Sequence, residues 1–234
     1  MQTETPMADA KKTRASSMYL QLRGEVMDGV LPPGTKLNIR ELSDRFESGL
    51  SPVREALNRL SAEGLLQQLD NRGFSVRTVS VPELMDLTQA RCWLNEIGLR
   101  KSIAEGDQGW EEDILVSCHR LSRTPRPTAQ SSGAENRPWN AAHKQFHHNL
   151  IAACGSPWLL ETSNQLFDAA ERYRSLARLA GVSREDPRDE HKEIMDAVID
   201  RRADIAVEMV NAHFERTATL VRTVLDGLES GGAR

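Results

Sequence analysis

The chain has 234 residues, 39% of them hydrophobic and 5% aromatic, and a formal net charge of −4. That length suits one or two domains with real cores, and a wealth of Leu, Ala, Arg and Glu favours helix. No stretch approaches the ~20 apolar residues of a membrane span, no apolar signal-peptide core is visible, and Cys92, Cys118 and Cys154 are widely spaced without a CxxC pair. A cytoplasmic protein with reduced thiols is therefore expected, not a disulfide scaffold.

The net negative charge argues against indiscriminate nucleic-acid binding, but it is unevenly spread. Residues 1–80 hold 11 Lys/Arg and 10 Asp/Glu, a balance of +1, which leaves −5 for the remainder. A near-neutral first part can still bind DNA if its arginines share a face.

Residues 1–14 are polar and aperiodic and read as a mobile tail, with Lys11, Lys12 and Arg14 able to reach phosphates. Met18, Leu22, Val26 and Val30 keep a spacing of four, which predicts a helix over 16–29. Leu31-Pro32-Pro33-Gly34 stops it. Asn38 with Glu41 three residues on reads as a capping box that opens a second helix, running to Phe46. After the turn Glu47 to Leu50, Ser51 reads as an N-cap and Pro52 as the first residue of a third helix ending near Gly64. Val53, Ala56, Leu57 and Leu60 fall on one face of it, while Arg54, Asn58 and Arg59 point elsewhere. Such a helix, apolar behind and Arg/Asn in front, can enter a DNA major groove. The plainer reading of Arg40 and Arg54 is a solvated face with ion pairs to Asp44 and Glu55. Leu65–Leu69 and Phe74–Val79 read as strands joined by Asp70-Asn71-Arg72-Gly73, whose Asn and Gly supply positive φ. Three helices and a hairpin over residues 15–79 make a winged helix-turn-helix.

Residues 80–82 read as a hinge. After it, helix follows helix, at about 82–105, 110–122, 138–153, 157–179, 186–201 and 204–228, with no strand signal. Arg123 to Pro138, rich in Pro, Ser, Thr and Gly, reads as a loop, and Asp204 as the N-cap of the last helix. Residues 83–230 are thus expected to form an all-α bundle, and the whole fold is mostly α. His143 and His147 are four apart and share a helix face. His191 and His213 each lie about 11 residues from the turn before Asp204, so antiparallel helices put both roughly 16 Å from it at 1.5 Å per residue. Three helices can therefore bring four imidazoles to one point, a donor set for Zn, Ni, Cu or Fe. Taken singly, each is an ordinary surface or core histidine; His119 and His148 are read as surface residues. His143-Lys-Gln-Phe-His147 has the spacing of a zinc-protease helix, but Lys144 stands where that chemistry needs a Glu base.

The motifs Leu31-Pro-Pro-Gly-Thr-Lys-Leu37, Glu41-Leu42, Ser51-Pro-Val-Arg-Glu-Ala-Leu57, Glu63-Gly-Leu65 and Asn71-Arg-Gly73 resemble, in order, the DNA-binding domain of the GntR family. The resemblance implies DNA contacts by Arg40, Ser51, Arg54, Arg72 and Gly73, to which the helix face adds Asn58. Leu50 replaces an arginine usual in the family, which removes a DNA contact. The second half is similar to the FCD domain of the FadR branch through Arg91, Phe146-His147, Glu190-His191-Lys192 and Ala212-His213-Phe214. That implies metal ligands His147, His191 and His213, with His143 where the family usually has Asp. It implies a divalent transition metal, zinc first, with nickel, manganese or iron as alternatives. It also implies a small carboxylate effector held by Arg91, whose plainer reading is an ion pair on a solvated face. Asn95 falls one turn later on the same face, where the family more often has Glu, and is read as a polar pocket contact; Tyr173 and Arg174 are read as further pocket residues. Arg172-Tyr173-Arg174 with Trp139 and Cys154-Gly-Ser-Pro-Trp158 resembles a branch of carbon-starvation regulators that respond to dicarboxylates. The expected function is that of a homodimeric regulator, a repressor, on pseudo-palindromic operator DNA, and not an enzyme. A regulator with a structural or sensed metal and no organic effector is the second reading, and a metal-dependent hydrolase a remote third.

Overall fold

The computed structural model describes residues 14–69, 73–128, 131, 133–182 and 188–231. The expected tail and the wing-tip residue Arg72 lie outside them, except for Arg14, which opens the first helix. Contacts divide the chain into two compact units. One holds the described residues up to Gly24 together with Gly34–Arg77; the other holds Glu25–Pro33 and the chain from Thr78 onward.

The first unit is built on α1 (Arg14–Met27), β1 (Lys36–Leu37), α2 (Ile39–Arg45), α3 (Leu50–Ala62), β2 (Leu66–Leu69) and β3 (Gly73–Val76). Met18 and Leu22 of α1, Leu42 of α2 and Val53, Ala56, Leu57 and Leu60 of α3 are buried, as their helical spacing requires. Glu63 at the end of α3 accepts from Tyr19 at 2.5 Å and from Arg23 at 3.2 Å, which ties the third helix to the first. Asn38 caps α2, its side chain accepting from the Arg40 amide at 2.9 Å and donating to Glu41 at 3.1 Å. The start of α3 differs from expectation. Gly49 is its N-cap without a side-chain bond, and Ser51 lies inside the helix. Pro52 is tolerated there because amides of the first turn have no intrahelical acceptor.

The sheet is antiparallel in the order β1-β3-β2, with Leu66 opposite Val76 and Leu69 opposite Gly73. β1 was not expected from sequence, since two residues cannot display alternation. It pairs Lys36 with Ser75 and Leu37 with Phe74. This third strand makes Gly73 a requirement: its φ is +92°, and a Cβ there would stand 3.2 Å from the Leu37 carbonyl oxygen.

The second unit consists of α4 (Val81–Glu105), α5 (Gln108–Arg123), α6 (Gly133–Leu150), a 3-10 turn (Ala152–Cys154), α7 (Pro157–Leu179), α8 (Arg188–Ile199) and α9 (Ala203–Gly231). The expected hinge at 80–82 is instead the start of α4, where the Ser80 side chain accepts from the Glu83 amide. Asp107 and Ser156 cap α5 and α7 in the same way. The expected loop to Pro138 ends earlier, because α6 begins at Gly133 and carries Pro138 inside it. Asp204 lies in the first turn of α9, where it accepts from Arg100, and does not cap the helix. Phe146, Leu150, Ile151, Ile114, Ile194, Val198, Val210 and Phe214 belong to one core. Leu84, Leu87, Tyr173, Ala177, Val221 and Val224 form another. α4 and α7 run close together at Gly98, where a Cβ would come within 3.0 Å of Ile151 and Leu159. No helix among the described residues is long and apolar enough to cross a membrane.

Candidate metal centre and nucleic-acid interface

α6, α8 and α9 bring His143, His147, His191 and His213 together. One ligand atom from each lies within 4.8 Å of all the others, and all four rings are buried. The Nε2 atoms of His143 and His147 are 3.1 Å apart. Zinc–nitrogen bonds of ~2.0–2.1 Å place tetrahedral donors about 3.4 Å apart, near the His143–His147 separation, and the four side chains together could hold a metal ion. The walls are apolar: Trp139 stacks on His143 at 4.6 Å, and Phe146, Phe167 and Phe214 ring His147. Among the described residues, the buried Nδ1 atoms of His143 and His147 have no hydrogen-bond partner. Burial first, then the neighbouring imidazoles, hold both rings well below the ordinary histidine pKa. They are therefore neutral donors at pH 7, the form that ligates a metal.

One residue of this site escaped the sequence reading. Glu190 lies 2.9 Å from His213 Nδ1 and pairs with Arg216 through its other oxygen at 3.1 Å. A carboxylate on Nδ1 fixes the tautomer and leaves Nε2 free for a ligand role. The signal was present in Glu190-His191, but periodicity alone does not say that an acid beside one histidine serves another.

A cavity of about 60 Å³ adjoins the cluster, lined in part by His143, His191, His213, Trp139 and Thr217. Arg91, Arg126, Arg174 and Arg178 also face it. Arg91 is buried, its guanidinium 3.8 Å from the centre of the Phe214 ring. Burial, then the charge of Arg174, pull its pKa down to about 9. Glu171 is buried and pairs with both Arg174 (2.7 Å) and Arg178 (2.5 Å), whose charges hold its carboxyl below the usual range despite burial. Arg178 was missed in sequence, although it follows Arg174 by one helical turn; Arg126 sits on a loop with no periodicity to betray it. Two expected pocket residues stand elsewhere. The Tyr173 hydroxyl donates to Glu83 at 2.8 Å and its ring packs in the second core, because one residue's step around α7 turns it away from Arg174. Asn95 donates to the Arg91 carbonyl and lines a separate, smaller cavity on the far side of His147. Of the histidines read as surface residues, His119 is exposed, while His148 is only half-buried, with Nδ1 3.4 Å from Asn164.

In the first unit, Arg40, Ser51, Arg54 and Asn58 are all exposed on α2 and α3. Arg59 is exposed too, but its guanidinium lies over the Tyr19 ring, 4.0 Å from the centroid. Leu50 is exposed at the head of α3.

Such a winged helix followed by an all-helical unit defines a DNA-binding protein of the helix-turn-helix class. The chain belongs to the GntR family of bacterial transcriptional regulators: residues 14–76 match "Bacterial regulatory proteins, gntR family" and residues 86–216 match the FCD domain. It is 32% identical over 217 residues to the HTH-type transcriptional regulator BphR of Paraburkholderia xenovorans LB400, covering 93% of this chain and 88% of that one. It is 31% identical over 213 residues to the HTH-type transcriptional repressor GlaR of Escherichia coli K12, covering 89% and 96%. A putative GntR regulator from Rhodococcus sp. RHA1 shares the fold, with a TM-score of 0.70 at 19% identity, over 89% of this chain and 97% of that one. The protein is thus a DNA-binding transcriptional regulator and not an enzyme. Lys144, where a hydrolase would need its base, is paired with Asp168 at 2.7 Å.

Two outcomes follow. His143 and His147 are neutral in the folded protein and have pKa values near 6.5 when unfolded, so the unfolded chain binds more protons in acid. Metal-free protein should hold its Tm above pH 6.5 and lose it progressively as pH falls from 6.5 toward the depressed folded values; a Tm flat from pH 7 to 5 would contradict neutral burial. Glu190→Gln should weaken zinc binding by roughly 10–100-fold in a competitive chelator titration, with the helical content unchanged.

Proposed function

We propose that this chain is a homodimeric repressor whose operator binding is governed by a small carboxylate, such as a dicarboxylate, seated beside a divalent transition metal on His143, His147, His191 and His213. Zinc suits four neutral imidazoles best, with nickel, manganese or iron as other occupants. The observation that carries the reading is the cavity that shares a wall with the histidine cluster and gathers arginines. Arg91, Arg174 and Arg178 face one buried carboxylate, Glu171. That local excess of positive charge calls for an anion, and a guanidinium binds a carboxylate through two parallel bonds. The size fits too: a water position takes ~10–15 Å³ on this measure, so about 60 Å³ suits a molecule of a few heavy atoms. A bound metal supplies a Lewis-acidic contact for a carboxylate oxygen; Arg91 and Arg174 orient it, and Phe167 and Phe214 keep water out.

The reading of DNA rests on Arg40, Ser51, Arg54 and Asn58, exposed on α2 and α3, and on Gly73 at the head of β3; Arg72, expected beside it, lies outside the described residues. Two winged helices related by a twofold match a pseudo-palindromic site. Effector binding regulates only by favouring one of two states, a coupling that typically amounts to ~1–3 kcal/mol. One observation favours a second reading: four histidine donors can fill a tetrahedral ion completely, as in structural zinc sites, which leaves no position for an effector.

The two readings part in one titration. Small mono- and dicarboxylates added to metal-loaded protein should raise its Tm and release operator DNA, and Arg91→Ala should abolish both responses. Release by chelator with no response to any acid would install the second reading instead. On the DNA side, Arg54→Ala should cost about 1–3 kcal/mol of operator affinity at fixed salt if the side chain reads a base; unchanged binding would remove Arg54 from the reading face.

A further inference from the structure

Glu171, Ser175 and Arg178 of α7 follow one another at steps of four and three residues, on one helical face. Their side chains share hydrogen bonds around a single hydroxyl. Arg178 Nη2 donates to Glu171 Oε1 at 2.5 Å and to Ser175 Oγ at 2.8 Å. Ser175 Oγ donates in turn to the Met27 carbonyl at 2.7 Å, and a second acceptor, Glu171 Oε1, lies 3.4 Å from it. Met27 is the last residue of α1, where carbonyls have no intrahelical partner. The Ser175 bond therefore ties down the end of that helix. α1 is continuous from the residues grouped with the DNA-binding unit, up to Gly24, into those grouped with the helical unit, from Glu25. The segment after Met27 is held at two more places. Asp28 accepts from Arg137 at 2.7 Å, and Gly29, at φ +75°, lies so close to Leu179 that a Cβ would strike its side chain.

We infer that the Ser175 hydroxyl is a switch: it donates to Met27 while Arg178 holds Glu171, and to Glu171 once an anion in the cavity draws Arg178 away. The inference rests on the anionic-effector reading above and supplies the route by which that signal leaves the cavity. A hydroxyl has one hydrogen to give, so the two acceptors compete for it. With Arg178 on Glu171 Oε1, the hydrogen is left for Met27. Arg178 lines the cavity, and its Nε has no hydrogen-bond partner among the described residues. Nε and Nη2 form one edge of a guanidinium, and a carboxylate gripped by that edge takes two parallel bonds. Binding there removes Nη2 from Glu171. Glu171 is 2% exposed, and a buried carboxylate oxygen left without a donor is costly. The Ser175 hydroxyl is within reach, and a bond to a carboxylate outweighs one to a neutral carbonyl. Met27 then loses its partner and the end of α1 loosens. Arg137 does not line the cavity, so its bond to Asp28 persists and keeps the segment attached.

Amide hydrogen exchange over residues 25–33 of the full chain, read beside operator binding at fixed salt, tests this. Two amides there report on the end of α1: Gly29 bonds to the Val26 carbonyl and Leu31 to that of Glu25. Arg178→Met removes the donor without any ligand. It should speed exchange at both amides and weaken operator binding by on the order of tenfold, a usual size for allosteric coupling. Adding Glu171→Gln should restore both readouts, because a side-chain amide can donate to Ser175 where a carboxylate only accepts. Ser175→Ala removes the switch and should give the loosened state, with circular dichroism unchanged throughout. A fixed structural tie would reproduce the Ser175→Ala result alone. Exchange that ignores Arg178→Met, or that Glu171→Gln does not restore, therefore overturns the inference. Acetate, malonate and succinate are the probes for the ligand arm. If they release operator from wild type and from Ser175→Ala alike, the effector reading stands and the switch falls. If they act on neither while the variant series behaves as expected, the carboxylate reading falls and the hydroxyl switch stands.

Discussion

Four imidazoles in an apolar core impose the constraint on which the helical unit depends. All four rings are buried and face one another, and for His143 and His147 a proton costs both its desolvation and repulsion from the neighbouring imidazoles. The neutral rings of His143 and His147 in turn leave Nδ1 without a partner among the described residues, a cost in a site walled by Trp139, Phe146, Phe167 and Phe214. A cation at their centre resolves both demands. The arrangement also explains the helix geometry: α8 and α9 must run antiparallel with matched heights, and α6 must present positions four apart. Glu190, bonded to His213, extends the same logic one layer outward.

Beside that neutral cluster stands a strongly charged neighbourhood. Glu171 is one buried carboxylate between Arg174 and Arg178, while the guanidinium of Arg91 rests on the faces of Phe214 and Phe167. Arg91, Arg126, Arg174 and Arg178 thus line one cavity. The same residues tie the site to the chain's earlier segment. Ser175, which receives a bond from Arg178 at 2.8 Å, donates to the Met27 carbonyl at 2.7 Å, and Asp28 pairs with Arg137 on the helix that carries His143 and His147. Charge at the cavity and the backbone after α1 therefore share hydrogen-bonded side chains.

Much of this was legible in the chain. Amphipathic spacing placed each long helix to within a few residues, except at the start of α6, and the Asn38 cap was read correctly from its box with Glu41. Compositional cues misled where they were permissive only. Pro138 suggested a loop, yet the helix runs through it; Ser51 looked like a cap, yet Gly49 serves; Asp204 looked like a cap, yet it pairs with Arg100. Each of these residues favours a conformation without demanding it, and the surrounding packing decided.

What the sequence determined by itself were local and periodic properties: the helices, the hairpin, the shared face of His143 and His147, and the matched heights of His191 and His213. Those follow from the fixed rise and turn of a helix, which act within one element. Tertiary structure alone decided what depends on elements meeting. β1 exists only as a partner of β3, Tyr173 faces Glu83 and not the cavity, and Glu190 serves His213 from another helix. Arg126 and Arg178 likewise line the cavity because of where a loop and α7 come to lie. Rotation about a helix axis and the approach of two helices are set by packing the whole core, and no window of sequence contains that information.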